Sequence, residues 1–403
     1  MRKPKTASCG KLRSDTSDGG SVMPRVFFYV QHLLGIGHVF RALRIARGLR
    51  DAGFAVDLVL GGVPVSGLDT TGLNVIQLQP LKAGPDGFSA LVTETGAPAD
   101  AAVKARRTAD LLAAFARSQP DVVLIEAFPF GRRQMRFELM PLLEAAHACA
   151  NRPRIVASIR DILQESTKPG RAQETVDVLT TWFDRVIVHG DSALVRLEDT
   201  FPLAGQIAPL ISYSGMVVPP KPAASAMPTQ VADVVVSAGG GAVGARLIAA
   251  AIAAKPKTSQ ATARWLALTG PNADAADFTR LAAQGAEVGV KVERFVPDLS
   301  AVLARARLSV SQAGYNTVAD ILVAGCPAVF VPFAAGGETE QTLRAQLLQK
   351  RGIGISVSEE ALTPDALSAA VDQALAQPPP TLRLDVDGAA NTARILNDLL
   401  AAA

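Results

Sequence analysis

One segment, residues 308–341, constrains the fold more than any other stretch of the chain. A short apolar run (308–311) precedes Gly314 and a helix-forming stretch, and a second apolar run (329–331) precedes a glycine pair (336–337) and another helical stretch. This order predicts strand, glycine turn, helix, strand, glycine loop and helix. Because open α/β folds bind ligands beyond the carboxyl ends of their strands, the segment predicts the floor of a binding site.

The first helix of this segment is expected to begin at an anion site. Gly314 would form a tight turn, and Asn316 or Thr317 would cap the helix, so that its first backbone amides face outward. Asp320 would then bind a hydroxylated group such as a ribose, beside a phosphate held by the amides. The Thr-x-x-Asp spacing before an apolar run also fits a capping box, which needs no ligand. Spacing alone leaves both interpretations open.

The rest of the chain alternates strand-like and helix-like runs, which is typical of α/β domains with parallel sheets. Strands of the first half are predicted at 26–30, 55–60, 75–78, 122–125, 155–158 and 186–188, and helices at 39–52, 101–118 and 133–150. We therefore expect an α/β fold.

The domain organisation is predicted from composition along the chain. Residues 1–22 are polar and basic and are expected to form a disordered tail, without the apolar run of a secretory signal. A proline-rich stretch, 218–230, separates two alternating regions and is predicted to be a linker. The expected domains are therefore 23–217 and 231–403, with the last helix able to pack back on the first domain.

Overall composition excludes several classes of protein. The 403 residues, 49% of them hydrophobic, suffice for two ordinary domains with large cores. A net charge of +3 without a concentrated basic patch gives no reason to expect nucleic acid. Cys9, Cys149 and Cys326 are too far apart to suggest a disulfide framework or a zinc site, so reducing cytosol is expected. No apolar run reaches the roughly 18 to 20 residues of a membrane span.

A second glycine turn follows the first predicted strand. Gly35 and Gly37 open a helix, which lets a ligand approach the backbone, and His38 stands at the edge of this turn with a side chain suited to proton transfer near neutral pH. The third glycine of the dinucleotide fingerprint is missing. A loop histidine is also a common structural hydrogen-bonding group, so the sequence alone leaves its role open.

Charged or titratable residues directly follow three predicted strands of the first domain. Glu126 follows one strand, Arg160 and Asp161 follow the next, and His189 follows the last. Such positions are often simply solvated loops. Three of them in one domain also fit an acceptor cleft at the carboxyl edge of the sheet.

The second domain opens with a strand and a glycine run. Gly239, Gly240 and Gly241 follow the apolar stretch 234–236, and their backbone amides could bind a diphosphate at a helix N-terminus, with Arg246 available as a cation. Glycine runs also form plain turns. The Gly-Lys-Ser/Thr ending of a P-loop is missing, so ATP hydrolysis is not indicated.

Together these motifs resemble the family 28 glycosyltransferases. The family's donor-side pattern corresponds to 313–320, 324–327, 331–333 and Gln341, with Asp320 where the family usually has Glu. The Gly-x-Gly-His loop followed by Arg41 resembles the family's amino-terminal loop, and also that of the related UDP-sugar hydrolase of pseudaminic acid biosynthesis.

The resemblance implies a GT-B fold, with two facing Rossmann-like domains built on parallel sheets. It implies an inverting, metal-independent enzyme that transfers a hexose or N-acetylhexosamine from a UDP-sugar to a hydroxyl acceptor. In the family's typical member that acceptor is lipid-linked, which implies a cytoplasmic protein in peripheral contact with the membrane. No cofactor is expected. The alternatives are a UDP-sugar hydrolase or epimerase of the same fold, or a non-catalytic nucleotide-sugar-binding protein.

The resemblance also implies roles for individual residues. The catalytic candidates are His38 as base or sugar-positioning residue, with Glu126 and Asp161 as rival bases. Donor binding is expected at Gly239, Gly240, Gly241, Arg246, Phe295, Val296, Gly314, Asn316, Thr317, Asp320, Glu340 and Gln341. Acceptor-side residues are expected to be Gly35, Gly37, Arg41, Arg160 and His189. The Asp-x-Asp pair at 385 and 387 is far from these loops in sequence, so no metal site is expected.

Overall fold

The computed structural model of the protein describes residues 23–33, 35, 37–65, 67–84, 87–164, 168–221, 231–239, 244–378 and 383–402. The predicted tail, most of the predicted linker, Gly240 and Gly241 lie outside the described residues.

The first half of the chain forms a seven-stranded parallel sheet covered by helices. Its strands are ordered β3-β2-β1-β6-β7-β8-β9, and β4 and β5 form a separate antiparallel pair. The elements are β1 (Arg25–Val30), α1 (Gly37–Asp51), β2 (Ala55–Leu60), β3 (Asn74–Gln77), β4 (Leu81–Gly84), β5 (Gly87–Thr93), α2 (Ala101–Ser118), β6 (Val122–Glu126), α3 (Arg136–His147), β7 (Arg154–Arg160), α4 (Arg171–Trp182), β8 (Arg185–His189) and β9 (Ile211–Tyr213).

The second half forms a six-stranded parallel sheet, ordered β12-β11-β10-β13-β14-β15. The elements are β10 (Val234–Ser237), α5 (Ala245–Ala254), β11 (Trp265–Leu268), α6 (Ala275–Glu287), β12 (Val290–Glu293), α7 (Leu299–Leu303), β13 (Leu308–Ser311), α8 (Tyr315–Ala324), β14 (Ala328–Phe330), α9 (Glu340–Lys350), β15 (Ile355–Ser356), α10 (Pro364–Ala376) and α11 (Gly388–Ala401). The predicted α/β fold with two parallel sheets is therefore confirmed.

The central strands of the first sheet are buried on both faces. In β1, Phe27 and Tyr29 belong to the core under α2 and α3, while Val26 and Phe28 belong to the core under α1 and α11. Alternate residues of a strand point to opposite faces, so a strand covered on both faces must be apolar at nearly every position. This requirement explains why the central strands could be predicted from the sequence. All six predicted strands of the first half are present, each with its ends within two residues of the prediction.

Some elements differ from the prediction. The β4–β5 hairpin, α4 and β9 were not predicted, because short or polar segments give little periodic signal. The helix predicted at 133–150 begins with a 3-10 turn, Arg133–Met135, and its α-helical part ends at His147.

The last helix packs against the first half of the chain. An ideal Cβ on Gly48 of α1 would lie 2.8 Å from the Cβ of Ala389 in α11, so only glycine permits this close approach. The helix thereby covers a sheet from which it is distant in sequence.

Candidate functional site

A cavity of about 620 Å³ lies between the two sheets. Its lining residues come from both halves of the chain and from the segment that joins them: Gly35, Gly37, Phe40, Leu43, Arg44, Arg47, Pro219, Pro220, Ser237, Gly239, Leu268, Gly270, Pro271, Arg294, Phe295, Val296, Pro297, Asp298, Leu299, Ser300, Asn316, Thr317 and Asp320. Among them are six of the predicted donor-side residues and two of the predicted acceptor-side glycines.

Helices α1 and α8 touch directly at this cavity. The Asn316 side-chain amide donates to the Gly37 carbonyl (3.1 Å), and Arg44 donates to Asn316 Oδ1 at 3.4 Å. An ideal Cβ on Gly37 would lie 2.9 Å from Asn316 Nδ2, so a side chain there would displace the Asn316 amide from its contact with Gly37. The first glycine turn and the donor-side helix therefore form one surface.

Asp320 faces the cavity from α8. Its Oδ1 accepts hydrogen bonds from Ser300 Oγ (3.0 Å) and from Arg44 NH2 (3.4 Å). Burial raises the pKa of Asp320, and the Arg44 charge opposes that increase. Because Asp320 bonds to α7 and α1 rather than to the start of its own helix, the capping-box interpretation is wrong.

The start of α8 differs from the prediction in its cap. The N-cap is Gly314, in an extended conformation (φ −66°) that any residue can adopt, so the expected glycine-specific turn is not present. Asn316 and Thr317 lie inside the first helical turn, and neither of them caps it. The positive end of the helix dipole nevertheless lies at the cavity, because both side chains line it.

The glycine run of the second half is described only in part. Gly239 lines the cavity with a left-handed φ of +71°, a conformation that favours glycine. Gly244 is the N-cap of α5, and an ideal Cβ there would lie 1.9 Å from the Cβ of Ala238, so glycine is needed for the helix to approach the strand. Arg246 is not among the lining residues.

The far wall of the cavity follows β12. Phe295 is 62% exposed beside Val296, which is buried. Arg294 donates to the Ala273 carbonyl (2.7 Å), and its guanidinium stacks over Phe278 at 4.4 Å. Phe295, a predicted donor-binding residue, thus presents an exposed aromatic side chain at the cavity.

His38, in the first turn of α1, faces a buried carboxylate. Its Nδ1 lies 3.1 Å from Glu126 Oε1, and Arg41 donates to the same carboxylate oxygen. Burial lowers the pKa of His38 to about 3. Although burial favours the neutral acid, the Arg41 charge and the hydrogen bonds with His38 and Ser158 hold the pKa of Glu126 well below its usual range. The pair is therefore a neutral imidazole beside an ionised carboxylate.

This geometry separates the roles of the two residues. The His38 side chain is 21% exposed, whereas Glu126 has no exposure. Glu126 therefore lies behind His38, where it can orient the imidazole but cannot meet a substrate itself. The structure does not support its prediction as a rival base.

Asp161 is likewise not positioned to act as a base. Arg344 of α9 donates to Asp161 Oδ2 through Nε (3.0 Å) and to Oδ1 through NH2 (2.6 Å), and both side chains are buried. The same guanidinium donates to the Ala313 carbonyl (2.9 Å) and to Glu340 (2.7 Å), which also pairs with Arg160. These four charged side chains join the two halves of the chain.

Several predicted ligand contacts are therefore already occupied. Glu340 and Arg160 bind each other, and Gln341 accepts a hydrogen bond from the Phe333 amide (3.2 Å). His189 is fully buried between Ser158 and Ser214, behind Glu126, and cannot contact an acceptor. The predicted acceptor contact of His189 does not fit this position, whereas the binding roles of Arg160, Glu340 and Gln341 stay predictions.

Most of the α1 residues that line the cavity were not predicted. Phe40, Arg44 and Arg47 line it together with Gly37. Their spacing of four and three residues places them on one face of a helix, and this is the signal that could have identified them.

The second half of the chain matches a known protein family. Residues 234–391 match the glycosyltransferase family 28 C-terminal domain. A relative from Methylorubrum extorquens is the UDP-N-acetylglucosamine--N-acetylmuramyl-(pentapeptide) pyrophosphoryl-undecaprenol N-acetylglucosamine transferase. The two proteins are 32% identical over 169 residues, and this aligned region covers 40% of this chain and 45% of that protein. The chain is 34% identical over 110 residues to the same transferase of Acidithiobacillus ferrooxidans, covering 27% of this chain and 31% of that protein. The chain thus matches less than half the length of these curated relatives.

Solved structures resemble nearly the whole chain. The calicheamicin glycosyltransferase CalG4 superimposes with a TM-score of 0.61 at 18% identity, covering 94% of this chain and 98% of that one. MurG of Acinetobacter baumannii superimposes with a TM-score of 0.56 at 16% identity, covering 94% and 100%. Among the described residues, no helix combines the length and apolarity that crossing a membrane requires. The chain thus has the fold of these GT-B glycosyltransferases, and its residues 234–391 match the C-terminal domain of glycosyltransferase family 28.

Proposed function

We propose that the protein is a glycosyltransferase that moves a hexose or N-acetylhexosamine from a UDP-sugar to a hydroxyl acceptor. One observation carries the proposal: the cavity brings Asn316, Thr317 and Asp320 of the family-matched domain against the first turn of α1, where His38 is oriented by a buried carboxylate. The matched relatives are named as UDP-N-acetylglucosamine transferases, and a structural neighbour was solved with UDP, which supports a UDP-sugar as the donor.

The cavity offers a separate place for each part of such a donor. Its volume of about 620 Å³ lies within the range of roughly 300 to 1,000 Å³ common for small-molecule sites. The base would lie against Phe295, and the ribose hydroxyls would donate to Asp320. The diphosphate would lie at the N-termini of α5 and α8, with Arg44 available as a cation from the cavity lining.

The proposed chemistry is a single displacement. His38 Nε2 accepts the proton of the acceptor hydroxyl as its oxygen attacks the anomeric carbon, and the bond from that carbon to the UDP oxygen breaks with its electron pair leaving on UDP. The configuration at the anomeric carbon inverts. The Glu126 carboxylate stabilises the imidazolium that forms, and helix ends with Arg44 offset the charge on the leaving group without a metal. We further propose that the acceptor is lipid-linked and lies at the cytoplasmic face of a membrane.

The test measures UDP release from UDP-N-acetylglucosamine, with and without added bacterial lipid extract, and follows the sugar by mass spectrometry. A heavier glycolipid, formed only when lipid is present, is the expected result. His147→Ala serves as the control for His38→Ala, because His147 packs on Trp182 away from the cavity.

Other outcomes would replace the proposal. Rapid UDP release without lipid, with free sugar as product, would identify a UDP-sugar hydrolase. Conversion to a different UDP-sugar would identify an epimerase. UDP binding without turnover of a panel of UDP-sugars, tested with lipid and soluble acceptors, would identify a nucleotide-sugar-binding protein.

A further inference from the structure

A chain of hydrogen bonds runs from Glu126 into the first sheet. Ser158 Oγ donates to Glu126 Oε2 (2.6 Å), Ser158 Oγ lies 2.9 Å from His189 Nε2, and His189 Nδ1 lies 2.8 Å from Ser214 Oγ. All four side chains are fully buried. Glu126, Ser158 and His189 belong to the neighbouring strands β6, β7 and β8, so the sheet itself holds them in line.

The proton positions in this series of hydrogen bonds can be assigned by starting from Glu126. The ionised Glu126 only accepts, so the single Ser158 proton points toward it. The Ser158 oxygen must then accept from His189 Nε2–H. Because burial lowers the pKa of His189 to about 3, its imidazole is neutral near pH 7, so Nδ1 accepts from the Ser214 hydroxyl. Ser214 also lies 2.9 Å from the Gly215 carbonyl, but only donation to His189 satisfies that nitrogen.

The tautomer of His38 is likewise defined by its contact with the ionised Glu126. Its Nδ1 faces Glu126 Oε1, so Nδ1 carries the proton and Nε2 keeps its lone pair. Arg41 NH2 also lies 3.2 Å from Nδ1, and because a guanidinium has only protons to offer, its donation goes to Glu126 instead. This tautomer leaves the Nε2 lone pair free to accept a proton. His38 is not itself among the residues that line the cavity, but it adjoins Gly37, which is.

We propose that Ser158 and His189 are positioning residues for the His38–Glu126 pair: they hold the Glu126 carboxylate as an ionised, oriented acceptor, which keeps His38 in the tautomer with a free Nε2. This proposal rests on the proposed function, in which His38 is the base. Neither Ser158 nor His189 contacts the substrate, so their effect must pass through Glu126.

Removal of the Ser158 hydroxyl should shift the pH dependence of activity in a defined direction. The charged or titratable groups that face Glu126 are His38 and Arg41 from α1, Arg132 from the loop after β6 and His189 from β8. The hydrogen bond from Ser158 favours the ionised carboxylate, so its removal raises the pKa of Glu126. Activity that needs the carboxylate is then lost at a higher pH on the acidic side.

The tautomers can be tested without any substrate. The chain has only four histidines, so long-range proton–nitrogen NMR of protein labelled with ¹⁵N-histidine resolves each imidazole. At pH 7 we expect His38 to be neutral with the proton on Nδ1, and His189 to be neutral with the proton on Nε2. Ser158→Ala should shift the nitrogen signals of both and leave His147 unchanged. A wild-type His38 protonated on Nε2, or unchanged His38 signals in the variant, would overturn the proposal.

The second readout is the rate of UDP release from UDP-N-acetylglucosamine, measured in the presence of bacterial lipid extract. Ser158→Ala should lower kcat at least tenfold, move the acidic limb of kcat/KM to higher pH, and leave UDP affinity within twofold. Ser158→Thr, which keeps the hydroxyl, should restore most of the rate. The control is Ser309→Ala, a fully buried strand serine in the second sheet, outside the cavity lining.

If Ser158→Ala does not fold, the comparison moves to His189. His189→Gln keeps a donor for Ser158 and should stay active, whereas His189→Leu should lose the same factor as Ser158→Ala. An unchanged rate and pH profile in the folded serine or leucine variant, or an equal loss in Ser309→Ala, would refute the proposal. A wild-type protein without turnover would refute the proposed function instead, and the NMR tautomers would still decide the positioning role.

Discussion

At the scale of single residues, Asp320 is the side chain on which the donor site most depends. It is the acid that faces the cavity from α8, and it is held by Ser300 and Arg44. Asp320→Ala removes the acceptor for the ribose hydroxyls, and we expect UDP affinity to fall at least tenfold, or about 1.4 kcal/mol. Isothermal titration calorimetry with UDP measures this change. Asp365→Ala, at an 80% exposed side chain on α10, is the control; equal affinity in both variants would contradict the assignment.

His38 should affect the chemistry rather than donor binding. In His38→Ala we expect kcat to fall by a factor of about 10² to 10⁴, the range typical of a general base, with UDP affinity unchanged. Because burial lowers the pKa of His38 to about 3, the imidazole stays neutral down to mildly acidic pH. The wild-type rate should therefore show no acidic loss near pH 6.5 from this residue. A fully active His38→Ala would remove His38 from the mechanism.

At the scale of elements, the contact between α1 and α8 shapes the cavity. Gly37→Ala would bring a methyl group to 2.9 Å from Asn316 Nδ2 and displace the amide that joins α8 to the Gly37 carbonyl of α1. Since both helices line the cavity, we expect weaker UDP binding and lower turnover with little loss of secondary structure. Calorimetry, a turnover assay and circular dichroism measure these effects together. Gly205→Ala, where an added Cβ meets nothing within 4 Å, should behave as wild type, and a Gly37→Ala that binds UDP normally would show that the contact is dispensable.

At the scale of the whole molecule, two ion pairs join the halves of the chain: Arg344 pairs with Asp161, and Glu340 pairs with Arg160. Arg344→Met leaves a buried carboxylate without its partner, and removing one member of a buried pair typically costs about 3 to 5 kcal/mol of unfolding free energy. Urea denaturation measures the loss. Arg264→Met, which removes an exposed partner of Asp233, should cause no measurable change. Equal stability of the two variants would mean that the ion pairs between the halves contribute little.

Local pattern predicted the parallel sheets and the donor-side segment because both depend on neighbours in sequence. Buried parallel strands must be apolar throughout, and helices repeat their apolar face every three to four residues. For this reason the strand ends of the first sheet and residues 316, 317 and 320 at the cavity could be predicted. The cap at Gly314 could not, because several residue types satisfy the same local pattern.

The sequence by itself thus determined the fold class, the two sheets and the segment that lines the donor side of the cavity. Only the tertiary structure decided which strand-end charges orient a base and which join the halves: Glu126 lies behind His38, whereas Asp161 pairs with Arg344. These partners lie 88 and 183 residues apart. The physical reason is that an ionic or hydrogen-bonded partner is selected by proximity in the folded chain, for which residue spacing along the sequence carries no signal.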